Sequence, residues 1–133
     1  MNGVIPMRNE KFIFHQSCFL INDDPEEQAV FIRALNDVSP QTLCFAVIDG
    51  VDALHLMLRE GIVPDYIFIE RVSMSRMDAM GFLKELKKID MLRDVSVVVH
   101  AVNPGPMDII ALKEAGAAAL YLREYDYQVY VRC

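Results

Sequence analysis

The sequence predicts an α/β fold, in which a doubly wound, five-stranded parallel sheet carries helices on both faces. Short apolar runs rich in Val, Ile, Leu and Phe alternate with amphipathic stretches along the chain. Consecutive strands joined through helices pair in parallel, because each crossover returns the chain to the same edge of the sheet. A length of 133 residues, 53% of them hydrophobic, suits one domain with a single core.

Each element has its own signal. Strands are predicted at the apolar runs, and helices where apolar residues recur every three or four positions. Asp24, Pro25 and Glu27 mark a helix start, with an N-cap, a first-turn proline and a capping box. Gly61 and Gly116 stand where helix C-terminal glycines occur. The predicted strands are 17–21, 43–48, 66–69, 95–99 and 117–122, and the predicted helices lie near 25–36, 52–60, 78–89 and 106–115.

The two ends of the chain are less regular. Residues 1–11 are predicted to form a loose N-terminal tail, and residues 12–133 a single domain. The segment after residue 124 is too short for a full final helix, and its pattern fits either a short helix or an extended end. The fold prediction takes the first option, a shortened last helix.

Composition argues against several classes of function. A net charge of −6 and a pI near 4.9 disfavour direct nucleic-acid binding, which needs a basic surface. No apolar run approaches the roughly 18–20 residues of a membrane span. The N-terminus lacks a signal-peptide core, so we expect a cytoplasmic protein that does not bind membranes. Cys18 and Cys44 are expected to be reduced core residues and Cys133 a free thiol, without zinc.

Polar residues collect at the predicted strand ends, where parallel sheets bind their ligands. Asn22, Asp23 and Asp24 follow the first strand, in place of a glycine-rich phosphate loop. Clustered oxygen ligands suit a hard cation such as Mg²⁺. A helix cap at Asp24 and a solvated Asp23 explain the same residues without a metal. The other strand ends carry Asp49, Glu70, His100 and Arg123.

From about Phe19 to Asp126, the chain resembles the receiver domains of two-component response regulators. Several short stretches match, and their order and spacing, rather than any single stretch, carry the resemblance. It implies a flavodoxin-like (CheY-like) fold with strand order 2-1-3-4-5. The matching stretches are 19–25, 49–54, 64–70, 76–78, 82–87 and 115–117.

In that family, an acidic pair after strand one and a phosphoacceptor aspartate after strand three hold Mg²⁺. A Ser or Thr after strand four and a Lys after strand five contact the phosphoryl group. The resemblance places Asn22 and Asp23, next to Asp24, on the acidic pair, Glu70 on the phosphoacceptor, His100 on the hydroxyl position and Arg123 on the lysine. Further departures are Leu120 at a common switch aromatic, Glu124 at a proline, and Ser75 and Ala79 at a common Pro and Gly.

These departures weaken phosphoryl chemistry. Glu70 carries its carboxylate one methylene further out, roughly 1.5 Å, and misplacing a reacting group by about 1 Å can cost on the order of a hundredfold in rate. Asn22 removes one negative charge from a cation site. Arg123 is a planar fork that favours a carboxylate partner, so we expect Glu70 and Arg123 to lie within salt-bridge distance or to be bridged by water.

The resemblance therefore implies a stand-alone, degenerate receiver without enzymatic activity or a required cofactor. It would act in signal transduction as a phosphorylation-independent protein-interaction module. One alternative is a functional single-domain receiver that binds Mg²⁺ weakly at Asp23 and Glu70 and accepts a phosphoryl group from a histidine kinase. The other is a small flavodoxin-like ligand-binding protein or enzyme.

Expected partners are other signalling proteins, such as a histidine kinase or an output protein. A homodimer through the fourth helix, fifth strand and fifth helix is an alternative that the resemblance implies. Tyrosines are favoured interface residues, and four of them lie near this face. They are Tyr121, Tyr125, Tyr127 and Tyr130, which would otherwise cover the sheet edge beside a truncated helix.

Overall fold

The computed structural model describes residues 16–71, 76–124 and 127–133. Strands and helices alternate through the first nine elements, and a sixth strand follows the fifth directly. The strands are β1 (Gln16–Ile21), β2 (Thr42–Val47), β3 (Tyr66–Glu70), β4 (Ser96–Val102), β5 (Ala119–Glu124) and β6 (Tyr127–Arg132). The helices are α1 (Pro25–Val38), α2 (Gly50–Glu60), α3 (Ala79–Lys87) and α4 (Pro106–Glu114).

One sheet contains all six strands, in the order β2-β1-β3-β4-β5-β6. The first five are parallel, so the predicted order 2-1-3-4-5 is confirmed. All four predicted helices are present, with ends that differ from the prediction by up to two residues. The predicted N-terminal tail, 1–11, lies outside the described residues, as does the start of the predicted domain up to residue 15.

The two faces of the sheet are covered differently. The closed face, which carries Ile67 and Val97, packs against α2, α3 and α4 and contains the hydrophobic core. Phe82, Leu83 and Leu86 of α3 are fully buried there. The open face carries the alternate residues of each strand, Phe68 and Val98 among them.

Only α1 packs on the open face among the described helices. The rings of Phe31 and Phe68 are 5.0 Å apart, which places α1 over β3 on this side. No residue of α1 is buried, and Val30 is 60% exposed. Both faces of a doubly wound sheet are ordinarily covered by helices. Here the open face of β4, β5 and β6 is covered by none of the described helices.

The shortened last helix is wrong, because residues 127–132 form β6, antiparallel to β5. The sequence Tyr-Gln-Val-Tyr-Val-Arg is rich in aromatic and β-branched residues and alternates as a strand does. Val131 packs against the core from this strand. The edge of β5 supplies the unpaired backbone groups that make the extended form favourable.

The local signals at the helix ends hold except for the capping box. The Asp24 N–H donates to Asn22 Oδ1, and Glu27 Oε1 accepts from Asn22 Nδ2 instead. Asp24 caps α1 by accepting hydrogen bonds from the backbone N–H groups of Glu26 and Glu27, at 2.9 and 3.4 Å. Gly61 ends α2 with a positive φ of 66°, a conformation that favours glycine. No helix within the described part of the chain has the length and apolar character to span a bilayer.

Candidate functional site

The polar residues at the carboxyl edge lie on four neighbouring strands. Asn22 to Asp24 follow β1, Glu70 ends β3, and His100 and Arg123 lie near the ends of β4 and β5. Because these strands are parallel, their carboxyl ends meet at one edge, as predicted. The side chains are not, however, grouped as the family resemblance led us to expect.

Glu70 contacts His100, its register partner on the adjacent strand. Glu70 Oε1 lies 2.8 Å from His100 Nδ1, and the two side chains are 27% and 29% exposed. A carboxylate can only accept, so His100 Nδ1 carries the hydrogen and donates it. One oxygen of the Glu70 carboxylate is thus held by a side chain of the neighbouring strand.

A row of side chains continues from this pair across the open face. The His100 and Tyr121 rings lie 5.3 Å apart and are tilted by 30°. Tyr121 donates its hydroxyl hydrogen to Gln128 on β6. Glu70, His100 and Tyr121 are therefore connected along one register row, with the histidine held on both sides.

Asn22 is buried and directed toward α1. Its Oδ1 accepts from the backbone N–H of Asp24 at 2.7 Å, and its Nδ2 donates to Glu27 Oε1 at 3.0 Å. Gln28 donates to the Asn22 carbonyl at 2.6 Å. The Asn22 amide thus fixes the turn into α1, while Asp24 serves as the cap and Asp23 is exposed.

A direct salt bridge between Glu70 and Arg123 is absent from the described residues, so the prediction of direct contact is wrong. Register gives the reason. His100 pairs with Tyr121, whereas Arg123 pairs with Val102, two register rows further along the sheet and two strands from β3. The Arg123 side chain is exposed, and its carbonyl accepts from the Asn103 backbone N–H at 2.7 Å.

The cation next to Glu70 in sequence points elsewhere. Arg71 Nη1 lies 3.7 Å from Asp108 Oδ2 in the first turn of α4. Its backbone N–H donates to the His100 carbonyl at 2.7 Å. Its Nε is buried with no hydrogen-bond partner among the described residues. The sequence offered no signal for this contact, because residues 71 and 108 are brought together only by the sheet.

A second polar cluster lies at the N-terminus of α2. Asp49 is buried, caps α2 through the Asp52 N–H, and receives two hydrogen bonds from Arg76, at 2.8 and 3.1 Å. Arg76 also contacts Asp52 at 2.6 Å. The Arg76 guanidinium holds the pKa of Asp49 below its ordinary value, against the opposing effect of burial. This cluster joins α2 to the segment before α3.

The receiver family implies a Mg²⁺ ion at the carboxyl edge, and the donors here do not fit it well. The Asn22 amide oxygen accepts from Asp24, and Glu70 Oε1 accepts from His100. Within the described ranges, no three His, Cys, Asp or Glu side chains are grouped to hold a metal ion. Mg²⁺ demands near-octahedral oxygen donors, which these two engaged groups do not supply.

An open groove of about 760 Å³ runs along the open face, between α1 and β6. Phe68 and Val98 form its floor, and Val30 of α1 and Tyr130 of β6 lie on opposite sides. The end of the groove at the carboxyl edge of the sheet reaches Glu70 and His100. Of the four tyrosines expected at an interface, Tyr130 is 59% exposed and Tyr121 half-buried. Tyr125 and the side chain of Tyr127 lie outside the described residues.

Comparison with solved structures shows the fold. The receiver domain of a signal transduction histidine kinase from Syntrophus aciditrophicus matches with a TM-score of 0.69 and 19% identity, over 84% of this chain and 80% of that chain. The phosphorylated cyanobacterial phytochrome response regulator RcpA matches with 0.73 and 20%, over 84% and 82%. Vibrio cholerae chemotaxis protein CheY4 matches with 0.71 and 15%, over 84% and 88%. No protein-family model and no curated protein matches the sequence.

Proposed function

With the receiver fold as premise, we propose that this chain is a protein-interaction module in signal transduction whose state does not depend on phosphorylation of its third strand. The observation that carries the proposal is the 2.8 Å hydrogen bond from His100 to Glu70. It engages the carboxylate that would have to attack phosphorus. It also replaces the small hydroxyl of the family with a ring that occupies the same row.

The remaining site groups support the proposal. The Asn22 amide forms hydrogen bonds with Asp24 and Glu27 at the start of α1. Arg123 lies two register rows beyond the pair and its side chain is exposed, so the lysine-equivalent residue does not contact Glu70. Phosphoryl transfer depends mainly on positioning and on stabilising charge, and both are altered here. The module therefore needs no metal cofactor and performs no catalysis.

The partners we propose are signalling proteins, either a histidine kinase or an output protein. A net charge of −6 disfavours nucleic acid as the partner. Recognition then depends on the shape and charge of the surface. At the carboxyl edge of the sheet, the Glu70–His100 hydrogen bond holds both side chains in one arrangement.

The test is phosphorylation with acetyl phosphate and Mg²⁺, followed by intact-protein mass spectrometry. We expect no adduct on the natural sequence and none on Glu70→Asp alone, because the other site groups remain altered. A matched variant restores the family pattern with Asn22→Asp, Glu70→Asp, His100→Thr and Arg123→Lys together. That variant should gain a phosphate on residue 70, which shows that the fold itself permits the reaction.

A phosphate mapped to Glu70 in the natural sequence would contradict the proposal and favour a functional, Mg²⁺-binding receiver. Amide NMR with Mg²⁺ and beryllofluoride provides an independent reading. The proposal expects little change at the site. Shifts around Glu70 and Asp23 would support the functional receiver, and shifts with an organic ligand alone would support a ligand-binding protein.

A further inference from the structure

The groove on the open face has the shape and chemistry of a helix-binding site. In a doubly wound sheet, helices cover both faces. Here α2, α3 and α4 pack on the closed face, and β6 occupies the place in sequence of a last helix. Of the described helices, α1 alone contacts the open face, and no other described helix covers the surface over β4, β5 and β6.

The wall that α1 presents to the groove is apolar. Phe31 faces the sheet and contacts Phe68, with ring centroids 5.0 Å apart. Val30 and Ala34, four residues apart, form a second stripe along the side of the helix that lines the groove. Both are exposed, Val30 by 60%. A helix with two apolar stripes has room to contact a sheet and one more element beside it.

The floor continues this surface across the sheet. Phe68 and Val98 are register partners, and Tyr121 pairs with Tyr130 on β6. The two pairs lie on neighbouring rows of the open face, and all four residues line the groove together with Val30 and Ala34 of α1. Amphipathic helices bind such grooves through residues spaced three and four apart.

The charge of the groove is one-sided. Four lining residues carry carboxylates, namely Asp24, Glu26, Glu27 and Glu70. The lining group able to carry a positive charge is His100, and it already donates to Glu70. These carboxylates cluster at the end near the start of α1 and the end of β3. A basic side chain, or the N-terminal turn of a helix with its partial positive charge, complements that end.

We propose that this groove binds a basic amphipathic helix of a partner protein. Its apolar stripe lies on Phe68 and Val98, and its N-terminal turn and basic residues lie at the Glu26 and Glu70 end. A second copy of the chain is a poorer occupant, since it would bring a net charge of −6 to the same carboxylates. The inference rests on the proposed function, because it names the kind of partner that the module recognises.

The test uses the full chain and a fluorescent peptide of about 18 residues, long enough to form a helix. The peptide carries leucines at helical spacing and lysines toward its N-terminus. Controls are the same peptide with glutamate for lysine, and a scrambled peptide. We expect saturable binding of the lysine peptide by fluorescence anisotropy, and weaker binding of both controls.

Two valine variants form a matched pair. Val30 is 60% exposed and lines the groove, whereas Val63 is 52% exposed and does not. Val30→Glu should weaken peptide binding by about tenfold or more, equivalent to about 1.4 kcal/mol. Val63→Glu should leave it within about twofold. Glu26→Gln should weaken binding about twofold to fivefold at low salt, with less effect at high salt.

A photoreactive residue at position 30 identifies the occupant. An adduct with the peptide supports the inference. An adduct with residues 1–15 of the same molecule or with a second copy overturns it, as do equal effects of Val30→Glu and Val63→Glu or a failure of the peptide to bind. The phosphorylation assay fails or succeeds independently of this binding, so the two proposals can be rejected separately.

Discussion

Phe82 and Phe31 are both helical phenylalanines that face one sheet, and their surroundings differ. Phe82, on α3, is fully buried in the core of the closed face. Phe31, on α1, is half-buried on the open face, where its main aromatic neighbour is Phe68. The comparison indicates that the closed face contributes more buried apolar contacts to stability, whereas the open face keeps apolar residues such as Val30 exposed.

The largest expected effect separates the two phenylalanines. Phe82→Ala should lower the free energy of unfolding by about 3–5 kcal/mol, because it leaves a cavity in a packed core. Phe31→Ala should cost only about 1–2 kcal/mol, since solvent can fill the space. Urea unfolding followed by circular dichroism measures both. Equal losses would mean that the open face is covered as fully as the closed one.

The next effect compares two helix caps. Asp49 caps α2 and also binds Arg76, whereas Asp24 caps α1 near the groove. Asp49→Ala should cost about 2–3 kcal/mol, because both a cap and a charge-assisted hydrogen bond are lost. Asp24→Ala should cost about 1 kcal/mol, the value typical of a cap alone. The same unfolding assay decides, and a larger loss at Asp24 would reverse the comparison.

The contribution of Asp49 to stability should also depend on pH. The hydrogen bonds from Arg76 hold the pKa of Asp49 below its ordinary value of 3.8. A depressed folded-state pKa means that the stabilisation is fully present above about pH 5 and is lost as pH falls through the folded-state value. The difference in unfolding free energy between the natural sequence and Asp49→Asn should therefore shrink below about pH 4.

The matched control for acid is Asp37→Asn, at an exposed position of α1. It should leave the pH dependence of stability unchanged. Arg76→Gln should instead reduce the loss of unfolding free energy at acid pH, as is expected for Asp49→Asn. A difference between the natural sequence and Asp49→Asn that stays constant from pH 7 to about pH 3 would show that Asp49 is not held as a carboxylate by Arg76.

The smallest effect reports how far α1 covers the open face. Cys18 and Cys44 are register partners on β1 and β2, and Cys133 is exposed. A hydrogen bond with Cys44, together with burial, raises the pKa of Cys18. Ellman's reagent should react at once with Cys133, more slowly with the half-buried Cys44, and last with Cys18.

Cys133→Ser should remove the fast phase of this reaction and leave the two slower phases. Reaction of Cys18 in the folded protein at the rate of Cys44 would show that Cys18 is more accessible than its 1% exposure indicates.

The role of Asp24 and the turn at Asn22 show how well local patterns predict local structure. The spacing of Asp24, Pro25 and Glu27 predicted a helix start, and Asp24 does cap α1. The apolar runs likewise predicted the five parallel strands and their common edge. Such signals act over a few residues, so they can be read without knowing the neighbouring elements.

The partner of Glu70 illustrates the opposite case. His100 and Arg123 both follow apolar strands, and the sequence made Arg123 the more attractive partner because of its charge. Glu70 and His100 are 30 residues apart, and the register between β3 and β4 sets them opposite each other. Arg123 lies two register rows beyond His100 and out of reach of Glu70, and this offset is set by pairing between strands rather than within one segment.

The sequence by itself determined the order of strands and helices, the caps and the apolar residues of the core, because propensity and periodicity act locally. Tertiary structure alone decided three features. They are the Glu70–His100 pair, the folding of the last segment against the free edge of β5, and the groove beside α1. Each depends on contacts between elements that are distant in sequence. Those contacts stabilise the fold only once the sheet has formed.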